Sequence, residues 1–465
     1  MHALFFIAAT LLAQDIFTVR TFHQVAISPD GKRVAWSERD RGIAIADLDG
    51  SHLKQLTTTD DEGIAWSPDS AHLAYISKGQ LHVDGAAITT VKGALAEPCW
   101  SPDGKSVAFL LIENAGRSAG PLVAMSRAVG VIEEHVDEQR VAVVDVASKK
   151  LRIVSPANMY VYHFDWSPDS KRMVAEAAPG SGDNNYWIAQ LHVIDVAAAT
   201  MTPLYKPELQ IANPRWSPDG SQIAFIEGLM SDEGSTGGDL FVIPAAGGDR
   251  RDVTPNIQAS VTTFEWLSPE SILLGENAQG ESAIVRMRTT DGAAQVLWKG
   301  WSVARATSLV GATVARDGRT SAIIHEGFRH APEIWTGPIG DWKQITNVNK
   351  LTTASWGEGK LVRWRSEPAE ICVPGGERLA DVAERAWNGL NQIVQRHAEA
   401  ERIVIVSHNF PILGIVCRVT GTHLNEYRTF HLDPCGIARL AYDGAGWDLT
   451  EVNGREYAPA AVTRS

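Results

Sequence analysis

For most of its length the chain alternates short apolar runs with polar punctuation. Gly63-Ile64-Ala65-Trp66 and His72-Leu73-Ala74-Tyr75 are two such runs, and Ser67-Pro68-Asp69-Ser70 stands between them. Runs this short, bounded by turn residues, predict strands joined by tight turns. In such a turn proline presets φ, aspartate bonds nearby backbone, and a glycine in the fourth place accepts φ > 0. A third run follows in most units (Ile43 to Ala46, Val141 to Val144, Leu191 to Ile194, Leu240 to Ile243), then a polar turn and a fourth (Leu53 to Leu56, Leu151 to Val154).

The punctuation repeats. Trp-Ser-Pro-Asp begins at Trp66, Trp100, Trp166 and Trp216, with weaker copies at Ser28-Pro29-Asp30-Gly31, Trp266-Leu267-Ser268-Pro269 and Arg316-Asp317-Gly318. About seven units of about 35 to 50 residues, each of four antiparallel strands, is the signature of propeller blades. No blade buries both faces alone, so neighbours stack around a channel and share a core. The first domain is therefore expected to be an all-β seven-bladed propeller over residues 14–365.

From Pro374 the apolar period changes from 2 to 3.6. Leu379, Val382, Ala383, Ala386, Leu390, Ile393, Val394 and His397 form one stripe of a helix. Arg402 to Ser407 then reads as a buried parallel strand, Phe410 to Arg418 as a second helix, and Ala438 to Tyr442 with Trp447 to Leu449 as a hairpin around Asp443-Gly444. Alternating strand and helix predicts a small α/β fragment over residues 366–465.

Composition narrows the function classes. Among 465 residues the formal net charge is -13, which argues against a nucleic-acid surface. The apolar run Ala3 to Ala13 is too short to span a membrane and sits where a secretory signal belongs, so residues 1–13 are read as a signal peptide and the mature chain as periplasmic or secreted, with a cytoplasmic chain as the alternative. Cys99, Cys372, Cys417 and Cys435 have no metal-site spacing, and neither metal nor cofactor is expected. His325-Glu326-Gly327-Phe328-Arg329-His330 is one residue too long for a zinc H-E-x-x-H motif.

The string Trp100-Ser101-Pro102-Asp103-Gly104-Lys105-Ser106-Val107-Ala108-Phe109 resembles the repeat of TolB-type propellers and of the propellers in the prolyl oligopeptidase family of serine peptidases (dipeptidyl and acylaminoacyl peptidases). Pro332 to Trp335, Trp342 to Asn349 and Gly359 to Ser366 are similar to that family's last blade and exit strand. In those peptidases the propeller gates a following hydrolase domain, for which this chain has no counterpart. Gly116-Arg117-Ser118-Ala119-Gly120 matches a nucleophile elbow but lies inside the third blade, so it is read as a blade loop. The insertion continuing to Arg140 contains Glu133 and Glu134. By resemblance to dipeptidyl peptidases this pair is a candidate for holding a substrate ammonium, against a solvated acidic turn.

Pro374-Gly375-Gly376-Glu377, an amphipathic helix, Val404-Ile405-Val406-Ser407-His408-Asn409 and an apolar helix resemble the C-terminal half of the histidine phosphatase superfamily, which includes the cofactor-dependent phosphoglycerate mutases. The resemblance gives His408 the role of second, phosphate-stabilising histidine, and Asn409 that of a backbone donor. The family's nucleophilic histidine and its other partners belong before Pro374, where the propeller stands instead. Arg329-His330-Ala331 is the nearest echo of its Arg-His-Gly motif and is read as a propeller loop.

The expected function is a non-catalytic propeller that binds a peptide or protein at the channel mouth and carries a catalytically incomplete histidine phosphatase-like segment. The alternatives are a phosphoglycerate mutase-like phosphoryl-transfer enzyme, a serine-peptidase-family protein lacking its hydrolase domain, and an accidental join of two reading frames. The missing half would leave Ile403 to Val406 with an open apolar edge, available for self-association.

Overall fold

The structure is a computed structural model. It describes residues 19–114, 138–180, 183–229, 236–300, 303–306, 309–327, 330–350, 369, 377–400, 402–433, 436–444 and 446–457. The chain divides into two compact units, Met1–Gly359 and Lys360–Ser465.

The first unit is the propeller. Among the described residues, five separate four-stranded antiparallel sheets form blades two to six, at 62–87, 93–153, 159–205, 210–252 and 260–300. The first blade (22–55) and the seventh (303–344) join in one ten-stranded sheet, where Gln24 pairs with Ala306. Each pair of neighbouring blades shares a core. Val34, Trp36, Ala322 and Ile334 fill the junction of the first and seventh blades, and Leu81, Trp100 and Phe109 that of the second and third.

The Ser-Pro-Asp turns explain why the repeat is spelled as it is. In five copies the serine hydroxyl donates to the aspartate two residues on, at 2.5–2.7 Å (Ser28, Ser67, Ser101, Ser167, Ser217). The same hydroxyl accepts the backbone N–H that opens the second strand, at 2.9–3.0 Å. Hydrogen bonds from serine, then from backbone, hold Asp69, Asp169 and Asp219 below the usual carboxylate range.

Tryptophan joins the blades. The indole Nε1–H of Trp66 donates to the Ala26 carbonyl, that of Trp100 to Ala65, that of Trp166 to Cys99 and that of Trp266 to Arg215, at 3.0–3.3 Å. In each case the acceptor is one residue before the corresponding motif position of an earlier blade. Trp216 breaks the pattern. Among the described residues its Nε1 has no hydrogen-bond partner, and the Asp165 carboxylate accepts its backbone N–H at 2.8 Å instead.

The second unit is smaller and thinly packed. Helix α1 (Leu379–Arg396) lies against helix α2 (Asn409–Thr420), and Gly414 allows the approach, since a Cβ there would meet the Ala383 Cβ at 2.7 Å. A three-stranded antiparallel sheet follows (Ala438–Tyr442, Trp447–Val452, Arg455–Glu456). Both helices and the hairpin agree with the sequence pattern. The expected buried parallel strand does not: among the described residues Ile403 to Val406 pairs with no strand, and it is exposed. A parallel strand is buried by neighbours on both sides and cover on both faces, and the described residues of this unit supply neither. Among the described residues no helix is long and apolar enough to cross a membrane.

Candidate functional site

Strand alternation gives the propeller two unlike ends. All the Ser-Pro-Asp turns fall at one end. The connections from second to third strands fall at the other, and three of them are long: 114–139, 180–189 and 229–238, from three consecutive blades. The same end carries four exposed large apolar side chains of the fourth and fifth blades, Trp187, Ile188, Leu209 and Leu229, the last 80% exposed.

These side chains stand on fixed supports. Glu227, 3% exposed, accepts the backbone N–H groups of Glu208 and Leu209 at 2.9 and 3.1 Å and the Tyr205 hydroxyl at 3.0 Å, with the Arg250 guanidinium 3.3 Å away. That carboxylate fixes the turn presenting Leu209. Beside it, Tyr186 is buried edge-on to Trp187, while Asn185 Nδ2 donates to the Pro179 carbonyl at 2.8 Å. Deeper in the fourth blade the fully buried Glu176 accepts from His163 Nδ1 at 2.8 Å, and among the described residues its other oxygen has no hydrogen-bond partner. Burial pushes the Glu176 carboxyl above its ordinary value, with His163 opposing. The bulged first strand of the third blade turns Glu97 into solvent at φ +52°. None of these groups was singled out from sequence. A buried glutamate inside an apolar strand was the available signal.

Of the residues that were singled out, Glu133, Glu134, Ser118 and Arg329 lie outside the described residues. His330 opens a strand of the seventh blade (His330–Pro338), is exposed, and has its ring centroid 6.3 Å from that of His325. It belongs to the propeller unit. His408 belongs to the other, at the N-cap of α2, exposed like Asn409. Its carbonyl accepts the Ile412 N–H at 3.3 Å, and among the described residues its ring has no hydrogen-bond partner. Among the described residues the site offers an imidazole and the positive end of a helix dipole, both of which attract an anion.

Residues 316–455 match the histidine phosphatase superfamily, branch 1. The C-terminal segment is thus a histidine phosphatase domain in sequence. The match begins inside the seventh blade, where Thr320–Gly327 and His330–Pro338 pair as propeller strands. Phosphoserine phosphatase 1 of Hydrogenobacter thermophilus is 34% identical over 71 residues, 15% of this chain and 33% of that protein. Putative phosphoserine phosphatase 2 of the same organism is 26% identical over 93 residues, 20% of this chain and 45% of that protein. The chain spans less than half the length of either. Among solved structures, the acylaminoacyl peptidase of Pyrococcus horikoshii superposes with a TM-score of 0.51 at 14% identity, covering 72% of this chain and 54% of that one. At that identity the likeness is one of fold, and the fold is a propeller.

Proposed function

We propose that the chain is a non-catalytic binding protein, its propeller taking a peptide or protein ligand at the loop-bearing end and its histidine phosphatase segment contributing at most an anion contact. The observation that carries this reading is the grouping of Trp187, Ile188, Leu209 and Leu229 on adjacent blades, at the end where the long connections emerge. Clustered exposed apolar side chains on rigid supports are the usual mark of an interaction surface. In calorimetric titration with a mixed peptide library, Ile188→Asp with Leu229→Asp should weaken binding at least about tenfold. Val296→Asp, at an exposed apolar position of the sixth blade, should not. Equal loss from both variants would count against the surface.

The resemblance to phosphoserine phosphatases favours a second reading, phosphoryl transfer. It requires a nucleophilic histidine in addition to His408. The first reading expects no turnover of an aryl phosphate or of phosphoserine. A robust rate abolished by either His330→Ala or His408→Ala would replace it with the second. The apolar run Ala3 to Ala13 supports an exported location, and sequencing the mature N-terminus of secreted or periplasmic material should then find Gln14.

A further inference from the structure

Among the described residues, the first and innermost strand of each of blades one to six is bulged near one equivalent position. Three residues before the tryptophan of the turn motif, or before its equivalent, stand Gln24, Gly63, Glu97, His163, Asn213, Thr263 and Gly311 in blades one to seven. A bulge turns its residue out of the ladder, and on an innermost strand that is toward the channel. The position is polar or glycine in every blade, although the strands around it are apolar.

Part of this ring is already committed. The Gln24 amide exchanges two bonds with the backbone of Ile64 at 3.0 Å, and the Thr263 hydroxyl donates to the Val310 carbonyl. The third, fourth and fifth blades differ. Glu97 is exposed and Asn213 half-buried, and among the described residues neither side chain has a hydrogen-bond partner. Between them His163 gives its Nδ1–H to Glu176, which leaves Nε2 as an acceptor. Bonds two or three residues further on, from Trp166 to the Cys99 carbonyl at 3.2 Å and from Trp216 to Asp165 at 2.8 Å, hold these three strands side by side. The local charge is negative. Burial raises the Glu176 carboxyl, His163 opposes, and Glu97 is near enough to raise it further. Arg215 is engaged with Asp165 and with the Phe164 and Pro214 carbonyls.

We propose that Glu97, His163 and Asn213 form a channel site for a primary alkylammonium group, such as ends a lysine side chain or an aliphatic diamine. That group carries one positive charge and three N–H donors. The three adjacent blades offer three acceptors, the Glu97 carboxylate, the Asn213 Oδ1 and the His163 Nε2, and the carboxylate makes its bond charge-assisted. Glu176 is a positioning residue that holds the His163 ring in the accepting tautomer. The site is separate from the apolar surface at the loop-bearing end.

Calorimetric titration of the full chain provides the test, with 1,5-diaminopentane as one probe and a lysine tripeptide blocked at both ends as the other. The wild type should bind at least one of them, and which one binds names the source of the ammonium. Glu97→Gln should weaken binding at least about tenfold, while Glu62→Gln, at an exposed position of the second blade's first strand, should not. Asn213→Asp adds a carboxylate and should tighten binding. Glu97 and Glu62 are exposed, so both glutamine variants should melt at the wild-type temperature. The diamine contains no peptide, so its result is independent of what the apolar surface takes. No heat from either probe at millimolar concentration overturns the proposal, as does equal loss from Glu97→Gln and Glu62→Gln. Binding of a lysine-free peptide through its free α-amine, with both probes silent, overturns it as well.

Discussion

Asn349 holds both backbone groups of Arg20, a residue 329 positions away: its Oδ1 accepts the Arg20 N–H at 2.8 Å and its Nδ2 donates to the Arg20 carbonyl at 2.9 Å. The same amide donates to the Pro332 carbonyl at 2.8 Å, and the Glu333 carboxylate accepts the N–H groups of Asn349 and Val348 at 2.7 and 3.1 Å. Arg20 in turn pairs with the buried Glu38. One amide thus ties the end of the seventh blade to the beginning of the first.

Asn349→Ala should therefore destabilise the propeller by about 2–3 kcal/mol, since three bonds are lost and their partners, the Pro332 carbonyl buried and the Arg20 backbone groups partly so, stay. Denaturant unfolding followed by tryptophan fluorescence measures this. A change near zero would mean that the ring is closed by the β-sheet pairing alone.

The tryptophans carry their own control. Trp166→Phe removes an indole bond and leaves the Cys99 carbonyl without that donor, whereas Trp216→Phe removes an N–H that has no hydrogen-bond partner among the described residues. The first should cost about 1 kcal/mol more than the second. Equal losses would show that only indole volume matters.

Asp165 makes one blade junction sensitive to pH. Burial pushes its carboxyl up to about 6, against the pull of Arg215 and of the Trp216 N–H. A folded-state value above the unfolded one of 3.8 gives a contribution that is complete below pH 3.8 and lost as pH rises through 6. Asp165→Asn keeps an oxygen for Trp216 and does not ionise. Between pH 4 and pH 7 the wild type should lose about 2 kcal/mol relative to this variant, as read from paired unfolding curves. Parallel curves would remove Asp165 from the account.

Ser217→Ala should cost about 1–2 kcal/mol, because the Gln222 N–H then faces a methyl group and Asp219 loses one of its donors, keeping those of Ser221. With that donor gone, the Asp219 carboxyl should titrate closer to its ordinary value, which carboxylate NMR can follow.

The turns were legible in the sequence because the bonds that shape them, serine to aspartate and backbone N–H to serine, span five residues or fewer. Ser67, Asp69 and His72 specify their own geometry wherever the chain places them. The partner of each indole was not legible, since Ala65 becomes the acceptor of Trp100 only when two blades stack. Arg20 and Asn349 gave no signal at all, one an ordinary basic residue and the other an ordinary turn asparagine until the ring brings them together. Ile403 to Val406 was misread for the complementary reason. β-Branched residues announce a strand, but a strand is a relation between segments, and the described residues of this unit offer no second segment. For the candidate site, Ser407-His408 was visible as a motif, while its exposure and lack of partners depend on what is not packed around it. The apolar group at the propeller end was invisible because Trp187, Ile188, Leu209 and Leu229 lie in separate connections.

The four indole bonds between blades all point backwards along the chain, from a later blade to an earlier one. A ribosome extrudes the N-terminal part first, so each acceptor carbonyl is made before the tryptophan that clasps it. Assembly can then proceed as a ratchet, each arriving blade locking the one already formed, with no step waiting on residues not yet synthesised. The Arg20–Asn349 tie is the exception, because its halves are translated at opposite ends of the propeller. A nascent chain halted before Val303 is an open arc of clasped blades, and its two end blades stay accessible to proteases until the seventh blade pairs with the first and Asn349 ties the ends.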